Sequence, residues 1–163
     1  MRRLFCVVGL VASSVVVFAS QAAAGTTTTV SVSMTFSEPI AADSVSGCPV
    51  FPDGFCGNGI VVPFGHATET ILFGGACGGA CDLRTVNLAG GSIFIDETFS
   101  NFQCPGACQS GKGIGFPGSG TLTDAIAGGT GIFKGASGNV SGSVTVGGLQ
   151  SLIKLSGSIT LTS

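Results

Sequence analysis

Polar and apolar residues alternate from the start of the region that follows an apolar N-terminal run. Val30, Val32, Met34 and Phe36 are interleaved with Thr29, Ser31, Ser33, Thr35 and Ser37. A period of two predicts a strand with one face buried. Glu38-Pro39 ends it, and the Pro-, Gly- and Cys-rich stretch from Ile40 to Gly59 reads mostly as loop. Ile60 to Phe73 is rich in β-branched and aromatic residues, with Pro63 interrupting its first half. Leu83 to Leu88 and Ile93 to Phe99 flank Ala89-Gly90-Gly91-Ser92, a good hairpin connection. A second irregular stretch runs from Asn101 to Gly118.

The C-terminal third is the most regular. Thr121 to Ile126 leads to a turn at Gly128-Gly129-Thr130-Gly131. Val140, Gly142, Val144 and Val146 then alternate with small polar residues. After Gly147-Gly148 the alternation resumes through Ile153, Leu155, Gly157, Ile159 and Leu161. From Gly25 onward no segment sustains the i, i+3, i+4, i+7 apolar spacing of a helix. The pattern predicts an all-β chain of seven or eight antiparallel strands with little helix.

A closed barrel is favoured over a β-sandwich. Gly142 and Gly157 occupy otherwise inward strand positions, where glycine marks a bend or a close backbone approach. Ser/Thr/Val-rich strands with few charges also have little to protect an open edge, and closure removes the edges.

The first 24 residues read as a secretory signal peptide. Met1-Arg2-Arg3 is a positive n-region, Leu4 to Ala19 is an uncharged apolar run, and Ser20 to Ala24 supplies small residues for cleavage. A spanning helix wants about 20 apolar residues, and this run is shorter. Cys6 lies near the start of the run, misplaced for lipid attachment at a new N-terminus. Cleavage before Gly25 leaves 139 of the 163 residues, a length for one domain, 25–163. It leaves four basic residues (Arg84, Lys112, Lys134, Lys154) against eight acidic ones. That balance carries no electrostatic footprint for nucleic acid. The expected localisation is secreted or cell-surface, without stable membrane insertion after cleavage.

Six cysteines remain: Cys48, Cys56, Cys77, Cys81, Cys104 and Cys108. An even number behind an export signal reads as three disulfides. Cys48–Cys56 is the favoured pair. The repeated CxGAC elements at Cys77–Cys81 and Cys104–Cys108 are either self-closed or joined to each other. Four thiolates could instead hold zinc, but oxidation competes after export and zinc more often uses CxxC spacing.

No other motif assigns chemistry. Gly106 to Gly113 fits GxxxxGK but has Gly113 where a phosphate loop needs Ser or Thr. His66 is the only histidine, and on a regular strand it faces away from Glu69. Asp82 is its other candidate orienter. Asp96 and Glu97, being adjacent, point apart and make no dyad. Asn139-Val140-Ser141 is a glycosylation sequon only in a eukaryotic host. The chain is assigned no catalytic residue, cofactor or metal site, and no oligomeric state.

The segment IAGGTGIFKGASGNVSGSV (Ile126 to Val144), followed by IKLSGSITL (Ile153 to Leu161), resembles a G-G-T-G-x-F-x-G-A-x-G signature. That signature belongs to allene oxide cyclase-like and dirigent-like β-barrels, which include secreted bacterial proteins of unassigned role. The resemblance covers residues 119–162 and implies an eight-stranded antiparallel barrel. It implies that Gly128, Gly129 and Gly131 serve a hairpin turn, that Phe133 on the following strand anchors the core, and that Gly135-Ala136 continues as tight strand. Family members include a cyclase acting on an unstable epoxide and proteins that steer radical coupling.

The expected function is a non-catalytic binding or structural module outside the cell. The alternative is a cyclase-like enzyme or carrier acting on a small hydrophobic molecule in the barrel. An enzyme needs polar groups converging in an apolar cavity, and few titratable residues are available to supply them. The ten phenylalanines after the leader would either line a pocket or fill the barrel.

Overall fold

The structure, a computed structural model, describes residues 25–40, 47–103, 117–147 and 149–162. The leader, Cys6, Cys104, Cys108 and the 106–113 segment lie outside the described residues. Eight strands follow one another around a closed antiparallel barrel. They are β1 (Thr27–Pro39), β2 (Gly54–Val62), β3 (Gly65–Ala76), β4 (Cys81–Leu88), β5 (Gly91–Gln103), β6 (Gly118–Gly129), β7 (Ser137–Gly147) and β8 (Gln150–Thr162). β8 returns to β1 along its whole length, from Thr27 opposite Thr162 to Pro39 opposite Gln150. No open edge is left, as the low charge of the strands requires.

The expected alternation is present on every strand that carries it. Val32, Met34 and Phe36 on β1, Ile93 and Ile95 on β5, and Ile153, Leu155 and Ile159 on β8 are buried in one core. Gly142 and Gly157 are sites of close approach. A Cβ at Gly142 would lie 1.8 Å from the Lys154 carbonyl oxygen, and one at Gly157 would lie 2.1 Å from that of Asn139.

Three expectations are corrected. The stretch read as loop up to Gly59 is already strand from Gly54, paired to β3 from Gly54–Leu72 to Val61–Gly65. Its glycines are packing positions, not turn residues: a Cβ at Gly59 would meet Phe36 Cδ1 at 2.3 Å and the Thr35 carbonyl oxygen at 2.1 Å. The second concerns Phe133, which is fully buried but lies on no strand. It ends a short 3₁₀ turn, Gly131–Phe133. The third follows from it: Gly135 and Ala136 belong to the connection before β7, and Gly128 and Gly129 are the last residues of β6, opposite Phe94 and Ile93. The physical reason is an extra residue in β6, which shifts the register between Ile126 and Gly128 and moves the chain reversal downstream.

That turn closes one end of the barrel. The Ile132 amide donates to the Gly90 carbonyl at 3.0 Å, and the Thr130 amide donates to that of Ser92 at 2.8 Å, tying the β6–β7 connection to the β4–β5 hairpin. Phe133 packs edge-on against Phe64, with ring centroids 5.0 Å apart. Both chain ends of the barrel, Thr27 and Thr162, lie at this closed end. The last residues of β1, β3, β5 and β7 and the first of β2, β4, β6 and β8 lie at the other, loop-bearing end. Two of the expected disulfides are there: Cys48–Cys56 joins the β1–β2 connection to β2, and Cys77–Cys81 self-closes the β3–β4 connection.

Candidate functional site

Below the loop-bearing end, five charged side chains face into the barrel from five strands. Glu38 comes from β1, Glu69 from β3, Arg84 from β4, Glu97 from β5 and Asp124 from β6, and all five are buried. Strand parity puts them there. Glu38 follows Met34 and Phe36 on the inward face, Glu97 follows Ile93 and Ile95, and Asp124 sits between Leu122 and Ile126. Gly57 on β2 leaves the space they need, since a Cβ there would lie 2.6 Å from Glu69 Oε1 and 3.0 Å from Glu38 Cγ.

Arg84 organises the layer. Its Nε donates to Glu97 Oε2 at 2.6 Å, its Nη1 donates to Glu38 Oε1 at 3.3 Å and to Glu69 Oε2, and its Nη2 is paired with Glu97. The guanidinium carbon stands 5.8 Å from the centroid of the Phe36 ring, a cation–π contact with the core beneath. Burial works against the Arg84 cation, but the Glu69, Glu97 and Glu38 carboxylates outweigh it and raise its pKa. Arg84 therefore stays charged.

One cation cannot hold four buried carboxylates ionised. Burial pushes Glu69 up to about 8 against the pull of Arg84, and Glu38 adds to the rise. Burial, aided by the charge of Glu97, pushes Asp124 up to about 7. Glu38 is raised by burial as well, with Arg84 opposing. Among the described residues Glu69 Oε1 has no hydrogen-bond partner, and the Asp124 carboxylate is met by the Thr98 backbone alone. The layer thus holds protons near neutral pH and has unused polar capacity.

Above this layer the barrel opens into a cavity of about 440 Å³, within the usual range for small-molecule sites. Glu38, Arg84, Glu97 and Ser151 stand at its floor. Its walls are apolar: Ile71, Leu122, Val144 and Ile153 lower down, and Ile40, Phe55, Phe73, Phe99 and Phe102 towards the mouth. A β-bulge shapes the aromatic side. Between Ser100 and Gln103 β5 has one residue more than β6, and Asn101 takes a left-handed φ of 52°. Three residues apart, Phe99 and Phe102 would otherwise face opposite sides; the bulge turns both to the cavity, with centroids 5.3 Å apart. Gly118 and Gly120 receive the rings, each leaving no room for a Cβ beside one of them. Phe73, Phe99 and Phe102 keep 48%, 45% and 38% of their surface exposed, so the mouth is lined by uncovered rings.

No family model matches the chain, nor does any curated protein or solved structure. The site therefore has to be read from its own geometry.

The other sequence candidates stand apart from it. His66 is exposed near the closed end, opposite Ile60, while Glu69 points inward, as their parity requires. Asp96 faces out and Glu97 in. Asp82 lines the cavity and accepts a hydrogen bond from the Gly74 amide at 2.8 Å. Among the described residues no three His, Cys, Asp or Glu side chains are grouped to hold a metal. Of the few titratable residues, five converge in the Arg84 layer, a grouping that no motif in the sequence singles out. The signal was in the sequence: each of the five charges shares parity with the apolar residues of its own strand.

Proposed function

We propose that this chain is an exported, non-catalytic barrel that binds a small, mainly apolar molecule in the cavity above the Arg84 layer. The observation that carries this reading is the cavity itself, an apolar cup with a polar floor and exposed aromatic rings at its mouth. A filled barrel would serve a purely structural role equally well and would need no such space. The two disulfides suit an oxidising compartment, and among the described residues no helix is long and apolar enough to cross a membrane. The leader-like residues 1–24 supply the route out of the cytoplasm. The closed eight-stranded antiparallel barrel is the architecture that the resemblance to allene oxide cyclase-like and dirigent-like proteins implies, and it supports placing the chain among them.

A second reading, a cyclase-like enzyme, draws on one observation. Glu38 lines the cavity with its carboxyl pKa raised by burial, which suits a proton donor to an enclosed substrate.

Titration with the neutral fluorophore N-phenyl-1-naphthylamine tests the binding reading. Saturable enhancement is expected in the unmodified protein and its loss in Val146→Trp, which fills the mouth of the cup. Equal binding by both proteins, with unchanged thermal stability, overturns it. Intact-mass analysis of the exported product tests the leader: a chain beginning at Gly25 is expected, and one retaining Met1 to Ala24 rules the export route out.

A further inference from the structure

The floor of the cup has a charge character that selects among apolar ligands. Glu38, Asp82 and Glu97 line the cavity, and Arg84 is the one cation among the described residues that does. All three guanidinium nitrogens of Arg84 are already engaged by Glu38, Glu69 and Glu97. A ligand carboxylate reaching the floor would find no free cation and would be desolvated beside like charges. A ligand that brings hydrogen-bond donors finds the opposite situation. Three carboxylates, Glu38, Asp82 and Glu97, line the cavity against one cation that is already engaged.

From this we infer that the cup takes an amine-headed apolar molecule, its ammonium group on the Glu38–Glu97 floor and its hydrocarbon body along the phenylalanine-lined wall. The inference rests on the reading of the cavity as a binding site. The ammonium takes the place of a proton that the layer otherwise carries, and charge-assisted hydrogen bonds to the carboxylates that line the cavity fix its depth. The body meets only apolar walls, so recognition of the hydrocarbon is by burial and tolerates changes in shape. A fatty acid of the same length would bury equally well but meet the wrong sign of charge. The titratable groups around the floor are Glu38 from β1, Asp82 and Arg84 from β4 and Glu97 from β5, which line the cavity, with Glu69 from β3 and Asp124 from β6 buried outside its lining.

The test displaces bound N-phenyl-1-naphthylamine with decylamine, decanol and decanoic acid at pH 7, below their aggregation concentrations. Decylamine is expected to bind at least about tenfold more tightly than decanoate, the equivalent of one charge-assisted hydrogen bond, with decanol between them. Glu38→Gln and Asp82→Asn, each isosteric, are expected to shrink that ratio, with both affinities measured in the same variant so that any general loss of binding cancels. Decanoate binding as tightly as decylamine, or a ratio unchanged in both variants, overturns the inference and leaves the cavity reading intact. Failure of decylamine to displace a bound fluorophore does the same. Failure of the fluorophore itself to bind overturns the cavity reading.

Discussion

Arg84 and Glu97 meet at 2.6 Å inside the barrel although they are not opposite one another: Arg84 faces Ile95 across β4 and β5, and Glu97 faces Asp82. The contact is a diagonal on the inner face, the reach expected of two long side chains on neighbouring strands. Removing the cation leaves buried carboxylates with no counter-charge, a change that typically costs about 3–5 kcal/mol. Arg84→Met should lose that much stability in urea denaturation at pH 7.5. The loss should shrink at pH 5, where the freed carboxylates take up protons. An equal loss at both pH values would mean that Arg84 acts by packing alone.

The layer makes stability depend on pH in a particular direction. Glu69 and Asp124 have folded pKa values of about 8 and 7, against ordinary values of 4.5 and 3.8. Between those limits the folded chain binds more protons than the unfolded one, so stability falls as pH rises. The contribution is complete below the ordinary carboxylate range and lost as pH climbs through about 7 to 8. The urea midpoint should be higher at pH 5 than at pH 9. Glu69→Gln, which cannot ionise, should flatten the upper part of the curve. A midpoint that rises towards pH 9 would contradict the protonation assigned to the layer.

Phe133 closes the far end of the barrel from a 3₁₀ turn, fully buried against Phe64, while Lys134 beside it is exposed. Phe133→Ala should open a cavity and cost about 3–5 kcal/mol. Lys134→Ala should stay within about 0.5 kcal/mol. The contrast comes from the turn, which points one side chain into the core and leaves the next in water. Equilibrium denaturation with the disulfides intact checks both, and comparable losses would remove Phe133 from its place in the core.

Two glycines on one strand should respond oppositely to the same change. At Gly142 an added methyl would lie 1.8 Å from the Lys154 carbonyl oxygen, so the backbone itself must move. At Gly147 nothing lies within 4 Å. Gly142→Ala should therefore cost well over about 1 kcal/mol, in the range of an overpacked core, and Gly147→Ala should be close to neutral. Thermal melts of the two variants decide the matter, and a neutral Gly142→Ala would show that β7 and β8 are not held so closely.

The alternation of apolar and small polar residues by itself determined the all-β class. The shortage of charge favoured closure over a sandwich, because exposed edges would otherwise pair with other chains; the pairing of β8 with β1 decides it. Cys48–Cys56 was also favoured from the sequence, while for Cys77 the spacing left self-closure and a link to the second CxGAC element both open, and only the fold selects Cys77–Cys81. Other features needed the tertiary structure. Gly54 to Gly59 reads as loop because glycine carries no pattern of its own, and it becomes strand only where Phe36, Glu38 and Glu69 need the room. Phe133 reads as strand only through the resemblance, and the extra residue in β6 displaces the turn so that it falls in a 3₁₀ turn instead. The charged layer was half visible. Parity on each strand points Glu38, Glu69, Arg84, Glu97 and Asp124 inward, but one buried charge on one strand makes no physical sense alone. Only barrel closure brings them within reach of one guanidinium, because the mutual positions of five strands depend on register and curvature, which no local pattern of residues carries.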